Sequence, residues 1–390
     1  MNKQLRILAA CNYPTDLRPA HQVFVRALLL ELKALGAGIT VLAPESIAHL
    51  AKSDSHHRLA PRHEVRDGIP VHRPRHLTLS RIPLPAGGTT ERLNDRAHAT
   101  AALREAKKLR GTFDVCYAHF LYPHGLAASR VAEHLGIPAV VALGESSFGR
   151  YSPTYSDQET GRLLSRFDGI IANSRQIEEY CVRHFDVAPG RITVFPNGVN
   201  EQSFYPRDRA WARARCNLPN DRPIVIFVGQ LIERKGPLRV LEAVRSMPEV
   251  GVVYLGQGPQ LPSGPQLLHQ GPVPHEDVPV WLSAADLFVL PTLDEGCSNA
   301  ILEALSCGLP VVSSDLPFNH AILDDRSAIM VDPLDVRAIE AAVTSLVCDP
   351  ERRAAMGEAA LERSRCFRLA DRAQGILRLL SAVAGRPSTR

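Results

Sequence analysis

A short apolar run, then a polar turn, then a helical stretch: that unit recurs along the 390 residues, and near residue 223 the series starts again. Strands that alternate with helices cannot pair through hairpins, so they form parallel sheets with helices laid over them. In the first series RILAA (6–10), ITVLAP (39–44), IPVHRP (69–74), DVCYAHF (114–120), IPAVVAL (137–143), DGIIANS (168–174) and RITVF (191–195) have strand character. Helices are expected over VFVRALLLELKALG, ended by Gly36, over about 91–110, over GLAASRVAEHLG, near 158–166 and over RQIEEYCVRHF. The second series has strands in PIVIFV (223–228), GVVYL (251–255), LFVLP (287–291), PVVSSD (310–315) and AIMVDP (328–333). Its helices are LRVLEAVRSM, 299–307, 317–323, 335–347 and 351–363. Two domains of similar build are expected, 1–197 and 198–366, with a joint near 197–222. Segment 367–390 supplies a helix returning to the first domain and a frayed tail.

Composition excludes several classes. Hydrophobic residues make up 45% and charged residues 22%, which fits neither a disordered nor a fibrous chain. No apolar run reaches the ~20 residues needed to span a bilayer, and RILAA is too short for a signal sequence. The eight cysteines lack CxxC spacing, which argues against a zinc or iron–sulfur framework and for a reducing, cytoplasmic location. Residues 1–195 carry 25 Lys and Arg against 18 acids, and residues 196–390 carry 20 against 23. The basic first half suits an anionic partner or an ordinary solvated surface, and the count alone leaves both open.

Open parallel sheets bind ligands beyond the carboxyl ends of their strands, so the polar residues there are the candidates. Gly229-Gln-Leu-Ile-Glu-Arg234-Lys235-Gly236 follows a buried strand with two adjacent cations, either a solvated turn or a diphosphate clamp. Gly256-Gln257-Gly258 marks at least a turn. In Glu295-Gly296-Cys297-Ser298-Asn299, Ser298 is expected to cap a helix whose first amides suit a phosphate or sugar hydroxyl. Glu303 shares a face with Asn299 and Ser306, either a wet helix side or a carboxylate placed for vicinal hydroxyls. Asp315 is expected to cap the next short helix. In the first half, Asn12–Arg18, His119, His124, Gly144-Glu145-Ser146-Ser147 and Asn173-Ser174 occupy strand ends, and His119 is the stronger histidine.

At these residues the chain resembles the retaining GT-B glycosyltransferases of family 4, of the exopolysaccharide, lipopolysaccharide and teichuronic acid biosynthesis type. The resemblance spans nearly the whole chain and is sharpest in FVLPTLDEGCSNAILEALSCGLPVVSSD, where Glu295 and Glu303 stand eight residues apart. VFVGQLIERKG, YLGQGP, VPVWLSAADLFVLP, IIANSRQIEEY, ITVFPNGVN and IMVDPLD support it. It implies an α/β fold of two Rossmann-like βαβ domains facing across a cleft. It further implies that Arg234 and Lys235 bind the diphosphate of a sugar nucleotide and that Glu303 binds its ribose. Glu295 would contact the donor sugar, Gly229 and Gly258 the nucleotide, and the 296–299 backbone sugar hydroxyls and phosphate. His119 would contact the transferred sugar, and Asn197 and Gly198 would lie at the interdomain turn. The sequence departs from the family in its first loop, which holds no glycine from Cys11 to Leu35.

The implied reaction is metal-independent transfer of a hexosyl group from a UDP- or GDP-linked sugar to a glycan or polyprenyl diphosphate-linked acceptor, with retention. No additional cofactor and no nucleic acid are expected, and peripheral contact with the inner membrane face would use the basic first domain. A GT-B sugar-nucleotide epimerase, a phosphorylase-like enzyme and a non-catalytic sugar-nucleotide-binding protein are the rivals. Nucleoside diphosphate release that requires an acceptor separates them.

Overall fold

The computed structural model describes residues 4–18, 22–48, 59–80, 89–109, 111–144 and 154–385. Glu145, Ser146 and Ser147, part of the first loop and the tail beyond residue 385 lie outside the described residues. The chain divides into two compact units, residues 1–196 with 373–390, and residues 197–372.

The first unit contains β1 (Arg6–Ala10), β2 (Gly38–Leu42), β3 (Glu45–Ser46), β4 (His63–Arg66), β5 (Ile69–His72), β6 (Arg75–His76), β7 (Val115–His119), β8 (Ala139–Leu143), β9 (Gly169–Ala172) and β10 (Ile192–Val194). Eight of them form one sheet in the order β10-β9-β8-β7-β1-β2-β5-β4, and β3 pairs with β6. All neighbours in the large sheet are parallel except β4 and β5. The chain works outward from β1 through β2 and then returns to β7 on the other side, so the strand order reverses between β1 and β7. β7 and β8 are buried at every residue, which is why their sequences run apolar without alternation.

The second unit contains β11 (Ile224–Val228), β12 (Gly251–Leu255), β13 (Leu267–Gly271), β14 (Leu287–Leu290), β15 (Val311–Ser314) and β16 (Ala328–Val331). Its sheet is parallel throughout, in the order β13-β12-β11-β14-β15-β16. Here the order reverses between β11 and β14, and a ligand crevice belongs beyond the carboxyl ends of those two strands.

The helix Leu369–Ala384 starts in the second unit and ends in the first. Ala373, Ile376, Leu380 and Val383 form a fully buried stripe at helical spacing. The Phe195 ring leaves no room for a Cβ at Gly375, and Val383 packs at Gly169. Among the described residues no helix is long and apolar enough to cross a membrane.

Beyond the two-residue pair β3 and β6, two strands of the main sheets escaped the sequence reading. β4 is the antiparallel edge, with its side chains half-buried or exposed, and β13 is an edge strand whose five residues are all half-buried. The expected joint also holds a helix, Arg209–Arg215, capped by Asp208.

Candidate active site

In the second unit the turn after β11 folds into a single 3-10 turn, Glu233–Lys235, closed by Gly236 at φ 77°, a left-handed conformation that glycine adopts without strain. This turn meets the segment that follows β14. The Leu293 amide donates to the Arg234 carbonyl (2.8 Å), and Arg234 Nη1 donates to the Asp294 carbonyl. Lys235 Nζ donates to Glu295 Oε1, while Arg234 Nη1 stands 4.0 Å from Glu295 Oε2. All three side chains are mostly buried. Burial first, and the Arg234 charge second, push the Lys235 ammonium down to about 7, with Asp294 opposing. The carboxylate against Nζ also opposes that push, so the ammonium depends on an adjacent anion for its charge.

Glu303 occupies the second turn of the helix Asn299–Ser306, with its side chain largely buried and Oε1 3.2 Å from His275 Nε2. Burial works to lower the His275 pKa, but the hydrogen bond and charge of Glu303, helped by Glu276, raise it on balance. His275 lies just past β13, an element missed in the sequence, and for that reason its pairing with Glu303 was missed too.

Several finer expectations change. Ser298 holds the N-cap position, but its hydroxyl makes no capping bond. The first-turn amides therefore stay available to a ligand. Ser306 does not share a wet face with Glu303: it is buried and donates to the Phe204 carbonyl at 2.7 Å. Asp315 does not cap the helix Pro317–His320, whose cap position is Leu316; it pairs instead with His320 Nε2 at 2.7 Å. Burial pushes the Cys297 thiol up to about 11, so it is held as an inert thiol, and its carbonyl accepts from Asn197 Nδ2 at 2.9 Å. Gly256 and Gly258 have a packing cause, because a Cβ on either would strike the carbonyl of Gly229 or Leu231. The Leu231 amide donates to the Gln257 carbonyl at 3.0 Å, tying these loops together.

In the first unit His119 ends β7, buried, with Nδ1 2.8 Å from the Tyr117 hydroxyl. Tyr117 is two residues back and so on the same strand face, a spacing visible in the sequence but not used. Phe24 and Phe120 flank the imidazole, with ring centroids at 5.6 and 4.8 Å. Gly144 leaves room beside Nε2, where a Cβ would stand 3.9 Å away. The same unit has an open cavity of about 230 Å³ lined by Tyr13, Arg18, Arg73, His76, His98 and His124, among others. The three imidazoles follow one another at 5.1 and 5.0 Å. Burial, then the neighbouring His124 and His76, hold His98 well below the ordinary histidine value.

Residues 208–363 match the family model described as Glycosyl transferases group 1, and residues 21–203 the one described as Glycosyltransferase Family 4. A Bacillus subtilis (strain 168) protein named for teichuronic acid biosynthesis, the glycosyltransferase TuaC, is 30% identical over 347 residues, 85% of this chain and 86% of its own. A D-inositol 3-phosphate glycosyltransferase of Xylanimonas cellulosilytica is 27% identical, over 73% of this chain and 76% of its own. Among solved structures, sucrose-phosphate synthase from Thermosynechococcus elongatus matches with a TM-score of 0.77 at 21% identity, covering 98% of this chain and 99% of its own. Anabaena Alr3699/HepE in complex with UDP-glucose matches with a TM-score of 0.74 at 17% identity, covering 97% and 100%.

Proposed function

This chain belongs to the group 1, family 4 glycosyltransferases, with the GT-B pair of Rossmann-like domains, and on that footing we propose that it moves a hexosyl group from a nucleoside diphosphate sugar to a hydroxyl of a glycan or lipid-linked acceptor, with retention, in cell-surface polysaccharide biosynthesis. The observation that carries the proposal is the convergence of Arg234, Lys235 and Glu295 where the second sheet reverses its strand order. Two cations and a helix start without a side-chain cap at one strand end suit a diphosphate better than any neutral ligand. A solved structure of similar fold carries UDP-glucose, which supports a sugar nucleotide as donor.

In this account the donor diphosphate takes Lys235 from Glu295, leaving that carboxylate for a hydroxyl of the donor sugar. Glu303 receives the ribose hydroxyls. As the anomeric C–O bond breaks, negative charge grows on the diphosphate, where Arg234, Lys235 and the 296–299 amides stabilise it. The acceptor hydroxyl attacks from the same face, its proton passing to the departing phosphate oxygen as the new C–O bond forms. No metal ion takes part in this scheme. His119, its Nδ1 2.8 Å from the Tyr117 hydroxyl, keeps in this account the sugar-contacting role that the family resemblance implies. The first-unit cavity lined by Tyr13, Arg73 and His124 supports an acceptor seated on that domain. A groove lined by Arg96, Arg130, Arg162 and Arg166, in which Arg92 is already paired with Glu159, is basic on balance, and that supports peripheral contact with anionic lipid at the inner membrane face.

The test begins with a thermal-shift panel of sugar nucleotides, because a ligand that binds only the folded chain raises its apparent stability. The stabilising donor is then incubated with acceptor extracts. Acceptor-dependent release of nucleoside diphosphate and an α-linked product from an α-linked donor are expected. Sugar interconversion without an acceptor, or a β-linked product, refutes the scheme. Glu303→Ala is expected to raise the donor KM roughly 10- to 150-fold, the equivalent of the about 1.5–3 kcal/mol that a charged hydrogen bond is worth, with kcat changed far less; steady-state kinetics at varied donor reads both.

A further inference from the structure

We propose that the first unit carries a divalent-metal site, suited to zinc, formed by His63 Nδ1, His72 Nδ1 and Glu105 Oε1. Antiparallel pairing sets His63 directly opposite His72 in the ladder of β4 and β5. Both rings therefore stand on one face of the hairpin. Glu105, in the last turn of the helix Glu91–Ala106, reaches the same point from the other side. The three ligand atoms lie 3.0 Å (His63 to His72), 3.3 Å (His72 to Glu105) and 3.7 Å (His63 to Glu105) apart.

Those spacings fit a metal. Zinc bound by imidazole nitrogen and carboxylate oxygen at ~2.0–2.2 Å in a tetrahedron spaces its ligand atoms about 3.3 Å apart. A triangle with these edges has a point about 2 Å from all three corners, where an ion would sit. Protons alone serve the cluster less well. Each neutral imidazole has one N–H to give, and a proton shared between the facing Nδ1 atoms leaves the carboxylate short of a donor. Glu105 is buried, and among the described residues its other oxygen has a single long contact, 3.5 Å, to the largely exposed Lys108. A buried carboxylate calls for a cation, and a divalent ion meets both nitrogens and this oxygen at once.

His63 is 60% exposed, so the fourth position opens to solvent and suits water. Among the described residues β4 is the outermost strand of its sheet and pairs only with β5. The ion would staple that edge to the covering helix, a structural task separate from sugar transfer, since the donor cluster belongs to the other unit.

The experiment uses the full chain, free of affinity tags and stripped with a chelator. Titration with Co²⁺ is expected to yield one equivalent bound, with the visible absorption of a low-coordinate His-ligated site. Zn²⁺ should then displace the cobalt and raise the unfolding temperature. His63→Ala, at an exposed position that folding tolerates, should weaken binding by more than the roughly 10- to 100-fold that losing an outer-shell partner costs. Glu105→Gln should weaken it as well, while His320→Ala, in the other unit, should leave it unchanged. Substoichiometric binding, octahedral cobalt spectra, or equal affinity in the parent and His63→Ala overturns the proposal.

Discussion

Replacing Arg234 with alanine is expected to slow turnover by roughly 30- to 1,000-fold, about 2–4 kcal/mol of transition-state stabilisation. The guanidinium is positioned before any donor arrives, by its bond to the Asp294 carbonyl and by the backbone bond from Leu293 to its own carbonyl. A group already in place loses little entropy when charge develops beside it, so its contribution falls on kcat more than on KM. Arg234→Lys should recover only part of the loss, because an ammonium lacks the planar fork of the guanidinium. Lys235 should behave differently. Burial and Arg234 lower its pKa, so it gives up its proton at a lower pH than an ordinary lysine. Under the proposed function the protonated form is the one that would bind the diphosphate. Donor affinity should therefore be greatest below pH 7 and weaken as the pH climbs above it, and Lys235→Arg should abolish that dependence. Donor KM measured from pH 6 to 9 in both proteins tests the sign. A flat parent profile, or full activity in Arg234→Ala, removes the cluster from the chemistry.

Those residues were legible because a glycine, paired cations and acids follow strongly apolar runs, and the strand ends of an open sheet are where such groups gather. The central strands were readable for the same reason: β7, β8, β11 and β14 are fully or almost fully buried, and burial on both faces writes an uninterrupted apolar run. β4 and β13 carry no such run. His-Glu-Val-Arg and Leu-Leu-His-Gln-Gly are edge sequences, stabilised by pairing with a neighbour distant from any local pattern. Each missed strand concealed a side-chain grouping. Without β13 the approach of His275 to Glu303 could not be foreseen, and without β4 neither could that of His63 to His72 and Glu105. Ser306 was misplaced because Phe204, 102 residues earlier, covers that side of its helix. Helical periodicity shows which residues share a face and is silent on what else packs there.

Asp286→Ala is expected to be the most damaging change to the second unit, at about 3–5 kcal/mol, because it leaves a buried arginine without its counterion. Asp286 immediately precedes β14 and is buried. Its Oδ2 accepts from Arg213 Nη2 at 2.6 Å and from the Ile224 amide, at the start of β11, at 2.7 Å. Its Oδ1 stands 2.9 Å from Arg209 Nη1, and Arg213 Nε also donates to the Ala284 carbonyl at 3.0 Å. One carboxylate thus fastens the amino ends of the two strands whose carboxyl ends carry Arg234, Lys235 and Glu295, and it anchors the helix Arg209–Arg215 to both. Arg213→Met should cost much less, because Asp286 keeps Arg209 and the Ile224 amide while the methionine fills the vacated space. Asp286→Asn should fall between, able to accept from the amide but unable to balance the guanidinium groups of Arg209, Arg213 and, at 4.0 Å, Arg353. Urea titration followed by a probe in the second unit orders the three variants. Were Arg213→Met to cost as much as Asp286→Ala, the pair alone would account for the loss and the carboxylate's hold on β11 would count for little.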